Sequence, residues 1–190
     1  MGRIVSNFFI SLDGVVESPD KWHFPYFNDE MGSAVGRGMV SAEAFLMGRV
    51  LYDEWSAYWP GRGEGVPGEP QETADAFASF INNVPKYVVS STLEEATWSN
   101  TTLVSGDVAG RLREVRDRTE GDIAMSGSAT LVRWLLANGL LDELALMIHP
   151  IAVGHGQRLF EDVPTQPLRL VREERFETGV LNVAYAPVAG

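Results

Sequence analysis

The chemistry with the clearest pattern in this chain is anion binding. In Ile123-Ala-Met-Ser-Gly-Ser-Ala-Thr-Leu-Val132 a short apolar run, Ile123 to Met125, meets Ser126-Gly127-Ser128. An apolar helical pattern follows at once through Leu131, Leu135, Leu136 and Leu140. Strand, small-residue turn and helix in that order aim backbone N–H groups at a phosphate. Glycine lets the backbone approach closely, and the helix N-terminus adds partial positive charge. Three more corners are of the same kind: Met47-Gly48-Arg49, Val89-Ser90-Ser91-Thr92 and Ser105-Gly106-Asp107. Arg49 can pair a phosphate bidentately, and the hydroxyls of Ser90, Ser91 and Thr92 can donate to a ribose phosphate. Neither the Gly-x-Gly-x-x-Gly fingerprint nor a Walker lysine motif is present. Glycine and serine after a strand are also ordinary loop residues. It is the series of four corners, one with an arginine in reach, that points to a dinucleotide groove.

Other residues carry weaker signals. Asp13-Gly14 is a strong turn pair; Asp13 could equally bind a substrate amide, amine or hydroxyl, or relay a proton if a closed site raised its pKa. Trp22, His23, Phe24, Tyr26 and Phe27 form a dense aromatic segment that can stack on a flat ring or simply pack a core or lid. Trp55, Tyr58 and Trp59 can likewise cover the pocket or pack a helix. His23, His149 and His155 do not make a metal pattern, so no metal is expected. No Gly-x-Ser-x-Gly elbow supports a serine hydrolase.

Composition narrows the class. The chain has 190 residues, no cysteine and 45% hydrophobic residues, which suits one domain able to bury roughly 70% of its unfolded surface. Without cysteine there are no disulfides, thiolate metal sites or thiol nucleophiles, which fits a reducing cytoplasm. No segment reads as a signal peptide or membrane span. A net charge of −11 argues against a nucleic-acid partner, because phosphate backbones need a basic surface. An anionic cofactor must instead find a local positive field made by a few arginines and helix ends.

The elements that must position these corners alternate. Strands are expected at Arg3 to Leu12, Ala44 to Met47, Lys86 to Ser90, Thr101 to Val104, Ile123 to Met125 and Leu144 to Val153. An antiparallel pair, Leu168 to Thr178 and Val180 to Pro187, closes the chain around Gly179. Helices are expected at Asn28 to Val40 (weakened by Gly32, Gly36 and Gly38), Val50 to Tyr58, Glu72 to Asn82, Val108 to Arg118 and from Leu131 on. Gly61 to Pro70, rich in glycine and proline, is expected to be a loop and is a candidate lid. Strands alternating with helices imply an α/β sheet whose ligands gather at the carboxyl ends of parallel strands. The final hairpin makes that sheet mixed.

Ser11-Leu-Asp-Gly14, Met47-Gly-Arg49 with Tyr52-Asp-Glu-Trp55, Val88-Val-Ser-Ser-Thr-Leu93 and Met125-Ser-Gly-Ser-Ala-Thr-Leu131, in this order, resemble the dihydrofolate reductase-like superfamily. His149-Pro-Ile-Ala-Val-Gly-His-Gly-Gln-Arg-Leu-Phe160 resembles its branch formed by the C-terminal reductase domain of riboflavin-biosynthesis deaminase-reductases (RibD type) and small stand-alone relatives. The resemblance runs from about Gly2 to Ala186.

It implies one reductase domain over residues 1–190, a three-layer α/β/α fold on a mixed, mostly parallel sheet, and NADPH as hydride donor. It places Gly48, Arg49, Val50 and Leu51 against the cofactor, with Arg49, Ser90, Ser91 and Thr92 on the 2′-phosphate side. Gly106 and Asp107 fall beside the adenosine, where Asp107 also reads as the N-cap of the next helix. Ser126, Gly127, Ser128, Ala129, Thr130 and Leu131 fall along the pyrophosphate and nicotinamide. Folate reductases have two adjacent glycines where this chain has Gly127-Ser128.

On the acceptor side the resemblance places Asp13 at the reacting end, with Gly14, Phe24 and Asp29 as substrate contacts. Asp29 and Glu30 fall roughly where folate reductases hold their pterin-binding acid, and also read as favourable charge at a helix N-terminus. The implied reaction is hydride transfer to a small heterocyclic or carbonyl substrate, on the pattern of 5-amino-6-(5-phosphoribosylamino)uracil reduction. A folate reductase and a non-catalytic NADP-binding module are the alternatives. A homodimer is the expected assembly.

Overall fold

A computed structural model of the chain describes residues 1–61, 71–161 and 163–188. Its strands are β1 (Arg3–Ser11), β2 (Ala42–Gly48), β3 (Lys86–Val89), β4 (Thr101–Val104), β5 (Asp122–Ser126), β6 (Glu143–His149), β7 (Leu168–Arg175) and β8 (Leu181–Pro187). Its helices are α1 (Asp29–Ser41), α2 (Arg49–Tyr58), α3 (Gln71–Asn83), α4 (Val108–Arg118) and α5 (Ala129–Ala137). Two 3-10 turns, Pro19–Lys21 and Phe24–Tyr26, carry the aromatic segment. Residues 62–70, most of the candidate lid, lie outside the described residues.

The strands form one eight-stranded sheet in the order β4-β3-β2-β5-β1-β6-β8-β7. From β4 through β6 every neighbouring pair is parallel; β8 runs antiparallel to β6 and to β7. The fold is thus the expected three-layer α/β/α arrangement on a mixed, mostly parallel sheet, closed by an antiparallel pair. β6 ends at His149, before Pro150, rather than running to Val153, and it is central, paired on both edges.

Period-two patterning assigns the faces. In β1, Ile4, Ser6, Phe8 and Ile10 are buried on one side while Val5, Asn7 and Phe9 are half-buried on the other. The first side joins Leu46, Ile123 and Met125 under α4 and α5, with Leu112, Val132 and Leu135 as the fully buried helix contacts. Two separate clusters cover the second side. Phe45, Met47 and Val88 pack against Tyr52 and Trp59 of the α2 segment and Ile81 of α3. Met147 packs against Met31 of α1, Phe176 and Val180, with Phe9, Tyr26 and Phe27 at the margin. The strip of sheet between them, over β5 and β1, is closed by neither.

Helix ends follow local chemistry. Asn28 caps α1, its side-chain oxygen accepting from Met31 N at 3.0 Å, so α1 forms despite its glycines. The C-terminus of α3 is closed from outside: Lys86, 1% exposed, donates through Nζ to Ile81 O and Val84 O, both at 2.9 Å. Its Nζ also lies 4.7 Å from the Trp98 ring. Burial pushes this ammonium down to about 8, while the carbonyls and the ring face favour its charged form. Replacing Lys86 with Met strands those carbonyls without a donor. Lys86→Met is therefore expected to cost roughly 2–3 kcal/mol in a urea unfolding titration; an unchanged midpoint would show that the cap contributes nothing.

Candidate functional site

Because β4, β3, β2 and β5 are consecutive and parallel, the corners that follow them fall on one edge of the sheet. At the two inner corners the backbone is tied together: Ser128 Oγ accepts from Gly48 N at 2.9 Å. Gly127 and Ser128 both adopt left-handed backbone, φ +62 and +58. Glycine does so freely; serine does so at a cost, and here its hydroxyl gains the bond to Gly48. That bond has a second effect. Ser128 is the N-cap of α5 yet makes no side-chain cap, and Gly48, the N-cap of α2, has no side chain to make one. Two helix N-termini on adjacent strands therefore present first-turn N–H groups without a side-chain cap. At the outer corner Asp107 does cap α4, accepting from Gly110 N at 2.9 Å.

These corners wall a cavity of about 1450 Å³ that runs along the uncovered strip of sheet. Gly48, Arg49, Val50, Leu51, Gly106, Asp107 and the whole Ser126–Leu131 turn line it. A second cleft of about 370 Å³ adjoins it, walled by Arg49, Ser90, Ser91, Thr92, Ser105 and Gly106. Arg49 lines both. Its Nε is held by Asp53 at 2.6 Å, and Nη1 lies 3.4 Å from Thr92 Oγ1, so the terminal nitrogens face the hydroxyl-lined cleft. Ser90 turns inward: its Oγ accepts from Thr92 N at 3.1 Å and Leu93 N at 3.0 Å. It shapes this corner, leaving Ser91 and Thr92 exposed at the rim.

The other half of the cavity is aromatic. Phe9, His23, Phe24 and Phe27 line it from the β1–β6 side, and Trp55 and Trp59 from α2 and the residue after it. His23 stacks on Phe9 with ring centroids 4.4 Å apart and planes 10° apart, and its centroid is 4.2 Å from that of Phe24. His149 stands edge-on to His23 at 6.0 Å, its Nδ1 2.8 Å from Met147 O. Burial, with the neighbouring His149, lowers the His23 pKa from 6.5 to about 4. Burial lowers His149 as well. Asn7, absent from the sequence-based candidates, also lines the cavity. A lone asparagine inside a β pattern carries no motif, and only the strand register reveals that it neighbours Ser126.

Three expectations at the acceptor end need correction. Asp13 is not part of the cavity wall. Its carboxylate accepts from Ser11 Oγ at 2.6 Å, Val153 N at 3.0 Å and Gly154 N at 2.8 Å, and Arg158 lies 3.6 Å away. Those bonds to its charged form, Ser11 first, hold its pKa down at about 2, opposite to what a proton relay needs. Asp13 pins the 150–158 segment across the end of β1. Gly14 is the apex of that turn, φ +87, and its carbonyl accepts from Leu159 N at 3.0 Å; it too lies outside the wall. Asp29 is exposed in the first turn of α1, while Glu30 accepts from Asn28 Nδ2 at 2.8 Å and Glu177 N at 2.7 Å. α1 thus brings no carboxylate to the cavity, whose lining includes its Ala34, Val35 and Gly38. Phe24 alone of the expected substrate contacts lines the cavity.

The residues present fit NADPH on the donor set itself: uncapped N–H groups at two helix ends and an arginine over a hydroxyl-lined cleft. Residues 3–182 match the family model of the RibD C-terminal domain. The chain is 26% identical over 185 residues to the uncharacterized protein YyaP of Bacillus subtilis (strain 168), covering 96% of this chain and 94% of that one. It superposes on a putative riboflavin biosynthesis protein from Shewanella sp. PV-4 with a TM-score of 0.76 at 17% identity, over 100% of both chains. The dihydrofolate reductase of Enterococcus faecalis, solved in complex with NADP(H) and RAB-propyl, superposes with a TM-score of 0.58 at 13% identity, over 98% of this chain and 96% of that one.

The buried histidines set an acid limit on the fold. The unfolded chain takes up protons that His23 refuses until its folded pKa, so this stability is complete above 6.5 and is lost as pH falls toward about 4. Urea midpoints should therefore fall steeply from about pH 7 to about pH 4.5, and His23→Phe should flatten that fall. Asp13 loses its contribution in a separate, lower window, between 3.8 and about 2.

Proposed function

Because the chain belongs to the RibD C-terminal domain family, we propose that it is an NADPH-dependent reductase passing a hydride to a small heterocyclic or carbonyl acceptor. The observation that carries this reading is continuity. The arginine-and-hydroxyl cleft, the two uncapped helix ends and the aromatic cavity form one track, with Arg49 shared between the clefts. The larger cavity alone, about 1450 Å³, exceeds the roughly 300–1,000 Å³ of a single small-molecule site, as a cofactor and an acceptor together require.

Bound NADPH supplies the hydride; the chain supplies position and field. Arg49, Ser91 and Thr92 hold the 2′-phosphate, with Ser90 shaping their turn. The N–H groups opening α2 and α5 hold the pyrophosphate. Ser126 to Leu131 set the nicotinamide over the strip of sheet beside Asn7. Phe9, Phe24, Phe27 and Trp55 exclude water from the acceptor's reacting half and fix its plane. Reduction of the ribosyl group of a pyrimidine precursor belongs to this reaction class. A folate substrate is disfavoured by the missing carboxylate of α1.

The same reading gives the protein a cytoplasmic, homodimeric life. No described helix is long and apolar enough to cross a membrane. The outermost strand β7, exposed from Arg169 onward, is the edge a second copy would cover; light scattering decides the assembly.

Quenching of tryptophan fluorescence by NADPH tests the cofactor, and loss of reduced-nicotinamide absorbance with added acceptor tests turnover. Arg49→Ala should weaken NADPH about tenfold or more, the worth of a charge-assisted phosphate bond, and leave NADH nearly unchanged. Equal weakening of both would remove Arg49 from the 2′-phosphate. Binding without turnover across pyrimidine, pteridine and aldehyde acceptors would reduce the protein to a binding module.

A further inference from the structure

We propose that the cavity wall built by β2, α2 and α3 is a subsite for an uncharged aromatic group carrying a hydrogen-bond-accepting oxygen, and that the Trp59 indole receives that oxygen. The part of the second ligand seated there bears no phosphate. The proposal rests on the reading of the cavity as a site for NADPH and a second ligand.

Aromatic rings make this wall. Phe45 on β2, Trp55 on α2, Trp59 just after α2, and Phe77 and Phe80 on α3 all line the cavity. They brace one another: ring centroids are 5.6 Å apart for Phe45 and Trp55, 5.6 Å for Trp55 and Phe77, 5.1 Å for Trp59 and Phe77, and 6.2 Å for Phe77 and Phe80. Phe45 and Trp59 are buried, yet Trp55, Phe77 and Phe80 stay only half-buried despite this packing. Half-buried rings in a cavity wall are a stacking surface for another flat apolar group. One polar atom interrupts the wall. Trp59 is 8% exposed, and its buried Nε1 has no partner among the described residues. The neighbouring indole shows what is missing: Trp98 Nε1 donates to Asn82 Oδ1 at 3.1 Å, and the same amide donates to Trp59 O at 2.9 Å. An indole nitrogen is a donor only, and leaving it unpaired carries a standing cost that a ligand oxygen would remove.

Charge decides what that group is. The arginines that line the cavity each stand beside a carboxylate: Arg49 by Asp53 at 2.6 Å, Arg37 by Glu174 at 3.1 Å and Arg172 by Glu143 at 3.4 Å. Arg49 serves the hydroxyl-lined cleft. The other two meet carboxylates of β7 and β6, across β5 and β1 from the aromatic wall. Glu17, Asp20 and Glu54 also line the cavity, and Glu54 directly precedes Trp55 on α2. A phosphate or carboxylate at this wall would lose its hydration and gain no cation. An ammonium would leave the indole donor unanswered. A ketone, amide or ether oxygen on an aromatic ring has the one acceptor that the indole needs, and brings no charge.

The test uses the full chain saturated with NADP⁺, which fills the cofactor's phosphate sites and permits no turnover. Equilibrium dialysis then measures 2-acetylnaphthalene, 2-ethylnaphthalene and 2-naphthyl phosphate. The intact protein should bind the ketone about tenfold or more tighter than the phosphate, the cost of an unpaired charge at this wall. Trp59→Phe keeps a ring and removes the donor. It should weaken the ketone about tenfold, the worth of one hydrogen bond, and leave 2-ethylnaphthalene and NADP⁺ within about threefold. Phe80→Ala should weaken both uncharged probes alike, by about tenfold, which locates them at this wall. Phosphate bound as tightly as the ketone, or a ketone that does not bind, overturns the proposal and leaves the cofactor reading standing. So does equal weakening of both uncharged probes by Trp59→Phe, or no change for either in Phe80→Ala. Failure of the intact protein to bind NADP⁺ overturns both readings. The ketone–phosphate comparison needs no variant, so it decides even where Trp59→Phe does not fold.

Discussion

Everything at this site depends on an unbroken run of parallel pairing from β4 to β6. In a parallel sheet all carboxyl ends share one edge, so each crossover must return its chain to the opposite edge before the next strand begins. The corners after β2, β3, β4 and β5 are far apart in sequence and have no direct contact requirement of their own. They become one surface only because the strands that end in them are neighbours and point the same way. Had β3 or β5 been inserted antiparallel, the serines and Arg49 would lie on opposite edges. The bond from Gly48 N to Ser128 Oγ then converts neighbouring corners into a fixed pair.

That bond also bears on how a strongly acidic chain can hold an anionic ligand. The net charge of −11 produces a repulsive field at long range, but salt screens it within about 10 Å. Close to the site the balance is local. Ser128 spends its hydroxyl on Gly48 and so leaves the α5 end uncapped, while Asp107 caps α4 at the outer rim. Arg49 is steadied by Asp53 through Nε. The carboxylate offsets part of the guanidinium's charge, but it fixes a fork that would otherwise swing freely, and the terminal nitrogens keep their donors.

Much of this was legible in the chain. Glycine and serine after β-rich runs marked the corners after β2 to β5, and the α4 boundaries, Val108 to Arg118, came directly from the amphipathic pattern and its Asp107 cap. The errors share a physical cause. The sequence leaves Asp13 open equally as a turn residue and as a reacting group, because a turn sequence shows only its own residues. Its partners, Val153 and Gly154, are supplied by a segment about 140 residues away. Asp29 shows the converse: the helix is where it was expected, but its phase turns that side chain to solvent. Asn7 was invisible because period-two alternation names a face without saying what covers it.

What covers that face is the remaining step. A sheet side carrying Asn7, Ala124, Ser126 and Ala145 has little apolar bulk to offer a helix, so a cavity, lined on its other side by Ala34, Val35 and Gly38 of α1, remains over it. The cluster around Trp59 and Ile81 reaches β5 through Ala124 alone, and the cluster around Met31 and Phe176 reaches β1 through Phe9 alone. A large residue at Ala124 or Ala145 would fill the strip and let the two clusters meet, giving a better core and no site. The small residues of β5 and β6 are therefore as much a part of the cavity as the groups that line its ends. They leave apolar burial unrealised along the middle of the sheet, and the fold tolerates it because the opposite face, under α4 and α5, holds one apolar cluster that joins Ile4 to Leu135.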